Sequence, residues 1–530
     1  MNIADCLTKN AKLFPHRTAV EAPSRWGRIR YKSLTFKELE DLSNKYANGL
    51  RELGLKKGDK SLLFVRPSLD FSALTFALFK LGAVPVFIDP GMGKDNLLNS
   101  IKQIKPKALI GIPKVHLAKL LYASFFDSIK ICVTTGAIKF GPIKTLKNLK
   151  RKQSTNFIGE ITTPQDMAAI LFTSGGTGIP KGVTYTHKIF NAQLNLLREI
   201  FTLTKDDIDM PGFPLFSLFT IGIGMKSVIP LMNAAKPSEA NPKFLVKQIR
   251  DKKVTFAAGS PAIWERVADY CVQKKITLPS VQRLVMFGAP VSVDLHRKFS
   301  KVLTGGTTYT PYGATESLPV SNISGKEILA RTGKLTEKGL GTCVGKIIPS
   351  IEVKIVEISN EILSEIKEVR PGNVGEIIVS GDIVTDSYQD MPEETKKAKI
   401  ILADKIWHRI GDLGYFDDLG YLWFCGRKTH RVGNLYPAQC EAIFNTHQKV
   451  RRSALIGPKP AIVIERSDGK ILKGKDKDIF EQELRDLAKT FPHTSEIDTF
   501  YHKKDFPVDV RHNIKIDRLK LRDEAMRTSL

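Results

Sequence analysis

Residues 168–187 read AAILFTSGGTGIPKGVTYTH, and the reading of this stretch organises the rest of the chain. A short apolar run, AAILF at 168–172, enters a loop holding Gly175, Gly176 and Gly178, the hydroxyl residues Thr173, Ser174 and Thr177, and then Lys181. Glycines let backbone N–H groups approach an anion, hydroxyls add donors and can face a metal ion, and a lysine neutralises phosphate charge. The pattern predicts a strand followed by a cradle for polyphosphate. Its spacing is not GxxxxGK[ST], so the loop differs from that of the P-loop NTPases. A bare glycine-rich loop can also be a plain connection, but the run of hydroxyls and the ending Pro180-Lys181-Gly182 favour the anion site.

Similar short apolar runs lie on either side: SLLFV at 61–65, VPVFI at 84–88, ALIGI at 108–112, KICVT at 130–134 and RLVMFG at 283–288. Between them lie helical patterns. The clearest starts at Thr35, where Thr35 and Glu38 form a capping box, Leu39, Leu42, Tyr46, Leu50 and Leu53 recur at helical steps, and Gly54 stands where a left-handed C-cap belongs. Strands alternating with helices predict βαβ units and a parallel sheet covered on both faces, so the fold class is α/β. From about Gly341 the pattern changes to strands and tight turns, with Asp417, Asp418 and Gly420 suited to a hairpin between aromatic-rich strands. This predicts a β-rich subdomain completing a large unit of residues 1–426. A polar stretch at 427–432 then leads to a helix near residues 437–445 and a small α+β unit over 433–530.

The chain has 530 residues, with 42% hydrophobic and 26% charged, values near those of folded soluble proteins that argue against a disordered, collagenous or coiled-coil chain. Its longest apolar stretch, residues 71–88, is broken by Lys80, Gly82 and Pro85 and falls short of a membrane span. The start, MNIADCLTKNAKLFPHR, has no apolar core of the secretory kind, so the expected location is the cytoplasm. Cys6, Cys132, Cys271, Cys343, Cys425 and Cys440 are scattered, with no pair at zinc-knuckle or redox spacing. The net charge is +26, and residues 102–152 hold twelve basic residues against one acid, Asp127. That surplus favours anionic partners: an acidic carrier protein, a pathway enzyme or an anionic lipid surface touched peripherally. The plain alternative is a solvated face. Nucleic acid is not expected, since no aromatic-interleaved basic module or zinc finger occurs.

Taken with its neighbours, TSGGTGIPKG resembles the phosphate loop of the adenylate-forming (AMP-binding) superfamily, which includes acyl-CoA synthetases, nonribosomal-peptide adenylation domains and luciferases. The resemblance extends in order over nearly the whole chain. TPYGATE at 310–316 resembles the motif whose tyrosine stacks on adenine and whose threonine and glutamate serve the phosphates and Mg²⁺, here Tyr312, Gly313, Thr315 and Glu316. FGAP at 287–290, with Gly288, Ala289 and Pro290, falls at the adenine-loop position, and Asp412 and Arg427 match the pair that holds the ribose hydroxyls. In VDVRHNIKIDR, Lys515 stands where the family keeps a mobile catalytic lysine. The resemblance therefore implies ATP and Mg²⁺ as cofactors, Lys515, Glu316 and Thr173 in catalysis, Thr173 and Glu316 at the metal, and a small C-terminal lid.

The common pattern is broken at informative places. Ser217, in PLFSLFTIG, stands where many acyl-CoA synthetases have a gating histidine; His430 replaces a frequent acidic hinge residue; and the segment from His430 to Pro437 is about four residues shorter than usual. VFIDPGMG, PLFSLF, GRKTHRV, EAIFNTH, HTSEID and FPVDVRHNIKI, in that order, instead resemble the β-lactone synthetases of bacterial olefin biosynthesis. The implied substrate is a long-chain acid with a 2-alkyl-3-hydroxy head, whose β-hydroxyl expels AMP from its own adenylate. The rivals are a fatty acyl-CoA ligase, or transfer to a carrier protein, and a non-catalytic anion-binding scaffold. His430 and His512 are candidate proton acceptors by residue type alone. Phe213, Phe216, Phe219 and Trp264 are the expected acyl-pocket lining, and aromatics there could equally be plain core.

Overall fold

Thr35 caps the helix Phe36–Glu52: its hydroxyl accepts from the Glu38 N–H at 3.2 Å while the Glu38 carboxylate accepts from the Thr35 N–H at 2.8 Å, the reciprocal pair read from the sequence. This helix packs on Leu69–Lys80, which is buried along almost its whole length. The computed structural model describes residues 2–24, 30–137, 142–173, 180–508 and 516–527.

The apolar runs become strands of two sheets rather than one. A seven-stranded sheet runs in the order Lys144–Thr145, Ile131–Thr134, Ala108–Gly111, Lys60–Phe64, Val84–Phe87, Met167–Thr173 and Lys181–Thr186. All its pairs are parallel except the last, where Met167–Thr173 and Lys181–Thr186 are antiparallel. The glycine-rich connection is too short to carry the crossover that a parallel pair needs, so the chain turns straight back. The second sheet has fourteen strands. One half is parallel, with Arg283–Met286, Phe256–Gly259 and Ile208–Pro211 side by side, apart from an antiparallel edge pair of Thr18–Pro23 and Tyr31–Thr35, and the other half is antiparallel. The change occurs at the strand Thr307–Ala314, which pairs parallel with Arg283–Met286 on one side and antiparallel with Ser317–Ser324 on the other.

A third, three-stranded sheet (Val450–Ile456, Ala461–Arg466, Phe500–Lys503) carries the helices Pro437–Phe444, Gly474–Lys489 and Arg518–Arg527. It has its own apolar core, in which Phe444, Leu455, Ile462, Phe480 and Leu484 are buried. Among the described residues no helix is long and apolar enough to cross a membrane.

Candidate active site

The carboxyl ends of the parallel strands of both large sheets, together with the small C-terminal unit, border a single cleft of about 3040 Å³. Ligands of open α/β sheets sit at such strand ends, because helix N-termini and connecting loops converge there. Thr173, Lys181, Gly288, Ala289, Pro290, Tyr312, Gly313, Thr315, Glu316, Asp412 and Arg427 all line it. Ser174, Gly175, Gly176, Thr177, Gly178, His512 and Lys515 lie outside the described residues.

Strand register assembles the first cluster. On the hairpin formed by Lys405–Phe416 and Leu422–Arg427, Asp412 and Arg427 are cross-strand partners, and the Arg427 guanidinium meets the Asp412 carboxylate at 2.9 Å. The Tyr312 hydroxyl donates to the other Asp412 oxygen at 2.8 Å. Burial and the neighbouring carboxylate hold the Tyr312 phenol well above its usual range, and Asp412 raises Arg427 further, so the cluster stays an ion pair plus a neutral phenol. A carboxylate with several acceptor positions beside a fixed guanidinium suits a vicinal diol, and an aromatic ring next to it suits a base.

The second cluster surrounds Glu316. TPYGATE reads most simply as a strand with a glycine turn before a surface acid, but Thr307–Ala314 and Ser317–Ser324 form a tight hairpin with Thr315 and Glu316 at its tip. The register shifts at Gly313, whose φ is +152° and where a Cβ would stand 2.3 Å from the Ser317 carbonyl oxygen; only glycine fits this bulge. Glu316 is thereby held inward, accepting from the Tyr388 hydroxyl at 2.8 Å. Thr173 and Lys181 face each other across the mouth of the glycine-rich loop. The Lys181 ammonium pairs with Glu394 at 2.6 Å and lies 5.0 Å from the Tyr388 ring centroid.

Tyr388, Glu394, Lys399 and His408 were not singled out from the sequence. Tyr388, Glu394 and Lys399 sit in stretches with no motif of their own, His408 opens the stretch HRIGDLGY that carries Asp412, and only the fold brings the four near Glu316 or Lys181. Lys399 is buried, donates to the Thr385 hydroxyl at 3.3 Å, and is pushed down to about 8 by burial, against the pull of Glu316 and Asp386. Opposite it across the strands, His408 is held neutral by burial and by Lys399.

His430 lines the cleft, and burial with the nearby Arg518 and Arg427 lowers it to about 4. It is neutral at pH 7 and so can accept a proton, but only weakly. Ser217 does not face the cleft; it is buried, and its hydroxyl donates to the Pro214 carbonyl at 2.7 Å.

The apolar part of the cleft is aromatic. The ring centroid of Phe287 lies 4.9 Å from that of Phe213 and 4.6 Å from that of Phe216, and the Phe219 ring continues the series with its centroid 5.9 Å from that of Phe216; all four line the cavity. Trp264 corrects the sequence expectation. It is 1% exposed, faces away from the cleft and packs with Met210, Val246 and Phe299, because the helix Pro261–Lys274 turns that side toward its neighbouring helices.

Residues 7–389 match the family model described as AMP-binding enzyme. The chain is 39% identical over 543 residues to an olefin beta-lactone synthetase of Xanthomonas campestris pv. campestris, covering 98% of this chain and 96% of that protein. A second olefin beta-lactone synthetase, from Stenotrophomonas maltophilia, is also 39% identical, with 98% and 97% covered. In fold the chain resembles the anthranilate CoA ligase AuaEII, crystallised with anthranoyl-AMP, with a TM-score of 0.83, 20% identity, and 100% and 98% of the two chains covered. Such proteins combine a large N-terminal and a small C-terminal unit, as here. This chain belongs to the AMP-binding enzyme family, the ATP-using, adenylate-forming enzymes.

Proposed function

We propose that the protein activates a long-chain 2-alkyl-3-hydroxy acid as its acyl-adenylate and closes that adenylate to a β-lactone without CoA. One observation carries the reading: a single cleft holds a diol-suited cluster, an acid and a lysine suited to polyphosphate, and an aromatic apolar limb. The 39% identity to two olefin beta-lactone synthetases over nearly the whole chain supports the choice of product.

In this reading Tyr312 lies against adenine, with Gly288, Ala289 and Pro290 beside it. Asp412 accepts from the ribose hydroxyls while Arg427 keeps it ionised. Lys181 exchanges Glu394 for phosphate oxygens, together with the loop of Ser174, Gly175, Gly176, Thr177 and Gly178. Glu316 and Thr173 offer an oxygen-only donor set, which fits Mg²⁺, an ion commonly held by one or two carboxylates and completed by substrate phosphates. When bound, the ion supplies charge stabilisation at the phosphates. The hinge at 427–432 lets residues 433–530 act as a lid that carries Lys515 to the α-phosphate, a gating step of the kind many enzymes use.

A carboxylate oxygen attacks the α-phosphorus and pyrophosphate leaves. The β-hydroxyl oxygen then bonds to the acyl carbon, the acyl–oxygen bond to AMP breaks, and the hydroxyl proton passes to a base or to the departing phosphate. Nucleophile and electrophile share one molecule, so the aromatic limb contributes by fixing the rotamer that brings them together. His430, lowered to about 4, is a weak base, which suits a leaving phosphate that takes part of the proton.

Mass analysis of products from ATP, Mg²⁺ and a synthetic 2-alkyl-3-hydroxy acid, with and without CoA, tests the reading. Lactone and AMP in its absence are expected. A thioester formed only with CoA would assign the protein to the acyl-CoA ligases instead.

A further inference from the structure

The helix Pro113–Leu121 is apolar on two sides. Val115, Ala118 and, just past its end, Tyr122 line the cleft, while His116 is buried against the Val133 carbonyl at 3.1 Å. On the opposite side Leu117, Leu120 and Leu121 are 50%, 66% and 69% exposed. Their spacing of three and four residues puts them in one stripe. Scattered single exposed leucines are ordinary, but three contiguous ones on one helix mark a surface that something covers.

The surroundings of the stripe are basic. The Lys102 ammonium lies 5.8 Å from the Phe125 ring centroid, just past the C-terminal end of the helix. Lys119 stands on the helix itself, while Lys94 and Lys114 line the cleft on its other side. The acids close by in sequence are Asp95 and Asp127, and residues 102–152 hold twelve basic residues against one acid. A second copy docked about a twofold axis would set these lysines against their own equivalents, which like-charge repulsion opposes. An anionic surface with an apolar layer beneath it satisfies both the lysines and the leucines.

We infer that Leu117, Leu120 and Leu121, with Lys102 and Lys119 beside them, form a docking face for an anionic lipid bilayer. The leucines enter the boundary between headgroups and acyl chains, the lysines meet lipid phosphates, and the cleft wall then stands one helix thickness from the lipid. The use of this contact to take up a long-chain acid rests on the function proposed above; the docking itself does not.

Sedimentation of the full-length protein with vesicles, in the absence of ATP and acid, tests the docking separately from catalysis. Binding to phosphatidylcholine vesicles containing phosphatidylglycerol is expected to exceed binding to phosphatidylcholine alone by tenfold or more and to weaken with added salt. The variant Leu117→Ser/Leu120→Ser/Leu121→Ser should lose at least tenfold in partitioning. Lys102→Ala/Lys119→Ala should lose about fivefold per lysine. Both should adenylate a short, water-soluble 3-hydroxy acid at the wild-type rate, which shows that they are folded. Equal partitioning of wild type and the leucine variant would overturn the proposal. So would a wild-type dimer that the leucine substitutions convert to monomer without any vesicle binding, since the face would then be a protein interface.

Discussion

At the polar end of the cleft, proposed to hold the nucleotide, side chains meet from distant parts of the chain: Tyr312 and Asp412 are 100 residues apart, and Glu316 and Tyr388 are 72 apart. At the apolar end, proposed to hold the acyl chain, Phe213, Phe216 and Phe219 come from one short segment and are completed by Phe287. The first end depends on strand register, because a one-residue slip would move Arg427 to the opposite face of its strand. The second depends on apolar volume, which tolerates rearrangement far better than a half-buried ion pair tolerates the loss of a partner. Substitutions at the polar end should therefore be sharp and specific to ATP, and those at the apolar end graded and specific to chain length.

The largest expected effect falls on Lys515, the lysine proposed to reach the polar end when the lid closes. Lys515→Ala should slow carboxylate-dependent exchange of pyrophosphate into ATP by about a hundredfold or more, the scale of one lost transition-state donor. Its affinity for ATP, measured by calorimetry, should be unchanged within about twofold. Weakened ATP binding with normal exchange would remove Lys515 from the chemical step.

Asp412→Ala comes next. It leaves Arg427 as a cation without its 2.9 Å cross-strand partner and takes the acceptor away from the Tyr312 hydroxyl. A buried group stripped of its partner costs about 1–3 kcal/mol, so the KM for ATP should rise between about fivefold and a hundredfold. The KM for the acid should stay put. A change confined to the acid would reverse the assignment of the two ends.

At the apolar end, Phe216→Ala should raise the KM for a long-chain acid by about tenfold and leave a short-chain acid and ATP nearly untouched. Steady-state kinetics over a series of chain lengths would show it; an effect independent of chain length would mean that Phe216 supports the fold rather than the substrate.

The smallest effect concerns stability beneath that end. Asp209 is fully buried under the helix Phe216–Ile223, accepts from Thr220 at 2.6 Å, and is pushed up to about 7 by burial. Its folded-state pKa lies above the unfolded one, so its favourable contribution is complete below the unfolded pKa and fades as pH rises toward 7. Asp209→Asn should flatten the stability curve across that window. The wild-type slope attributable to this group is at most about 1.4 kcal/mol per pH unit in urea titrations. Identical slopes in the two proteins would show that Asp209 is ionised in the fold.

The two ends also differ in how far they could be read from the chain alone. The capping box at Thr35, the apolar runs that became strands and the hairpin at Asp417 to Gly420 are local patterns, and each appears in the fold. Asp412, Arg427, Tyr312 and Glu316 lay within recognisable motifs, and all four line one cleft. Tyr388 and Glu394 had no such signal, since nothing near them in sequence implies Glu316 or Lys181 as neighbours. The antiparallel return after the glycine-rich loop was legible in principle, because that connection is too short for a crossover. Trp264 was misplaced because an aromatic residue near an apolar motif does not reveal which side of its helix faces the ligand.

The claim common to both ends is that a carboxylate oxygen of the acid becomes bonded to the α-phosphorus of ATP in this cleft. Turnover of a 2-alkyl-3-hydroxy acid carrying ¹⁸O in both carboxyl oxygens, with mass analysis of the nucleotide, tests it directly. One labelled oxygen in each AMP released, and one retained in the lactone carbonyl, is the predicted result. AMP without label, with both heavy oxygens elsewhere, would contradict it.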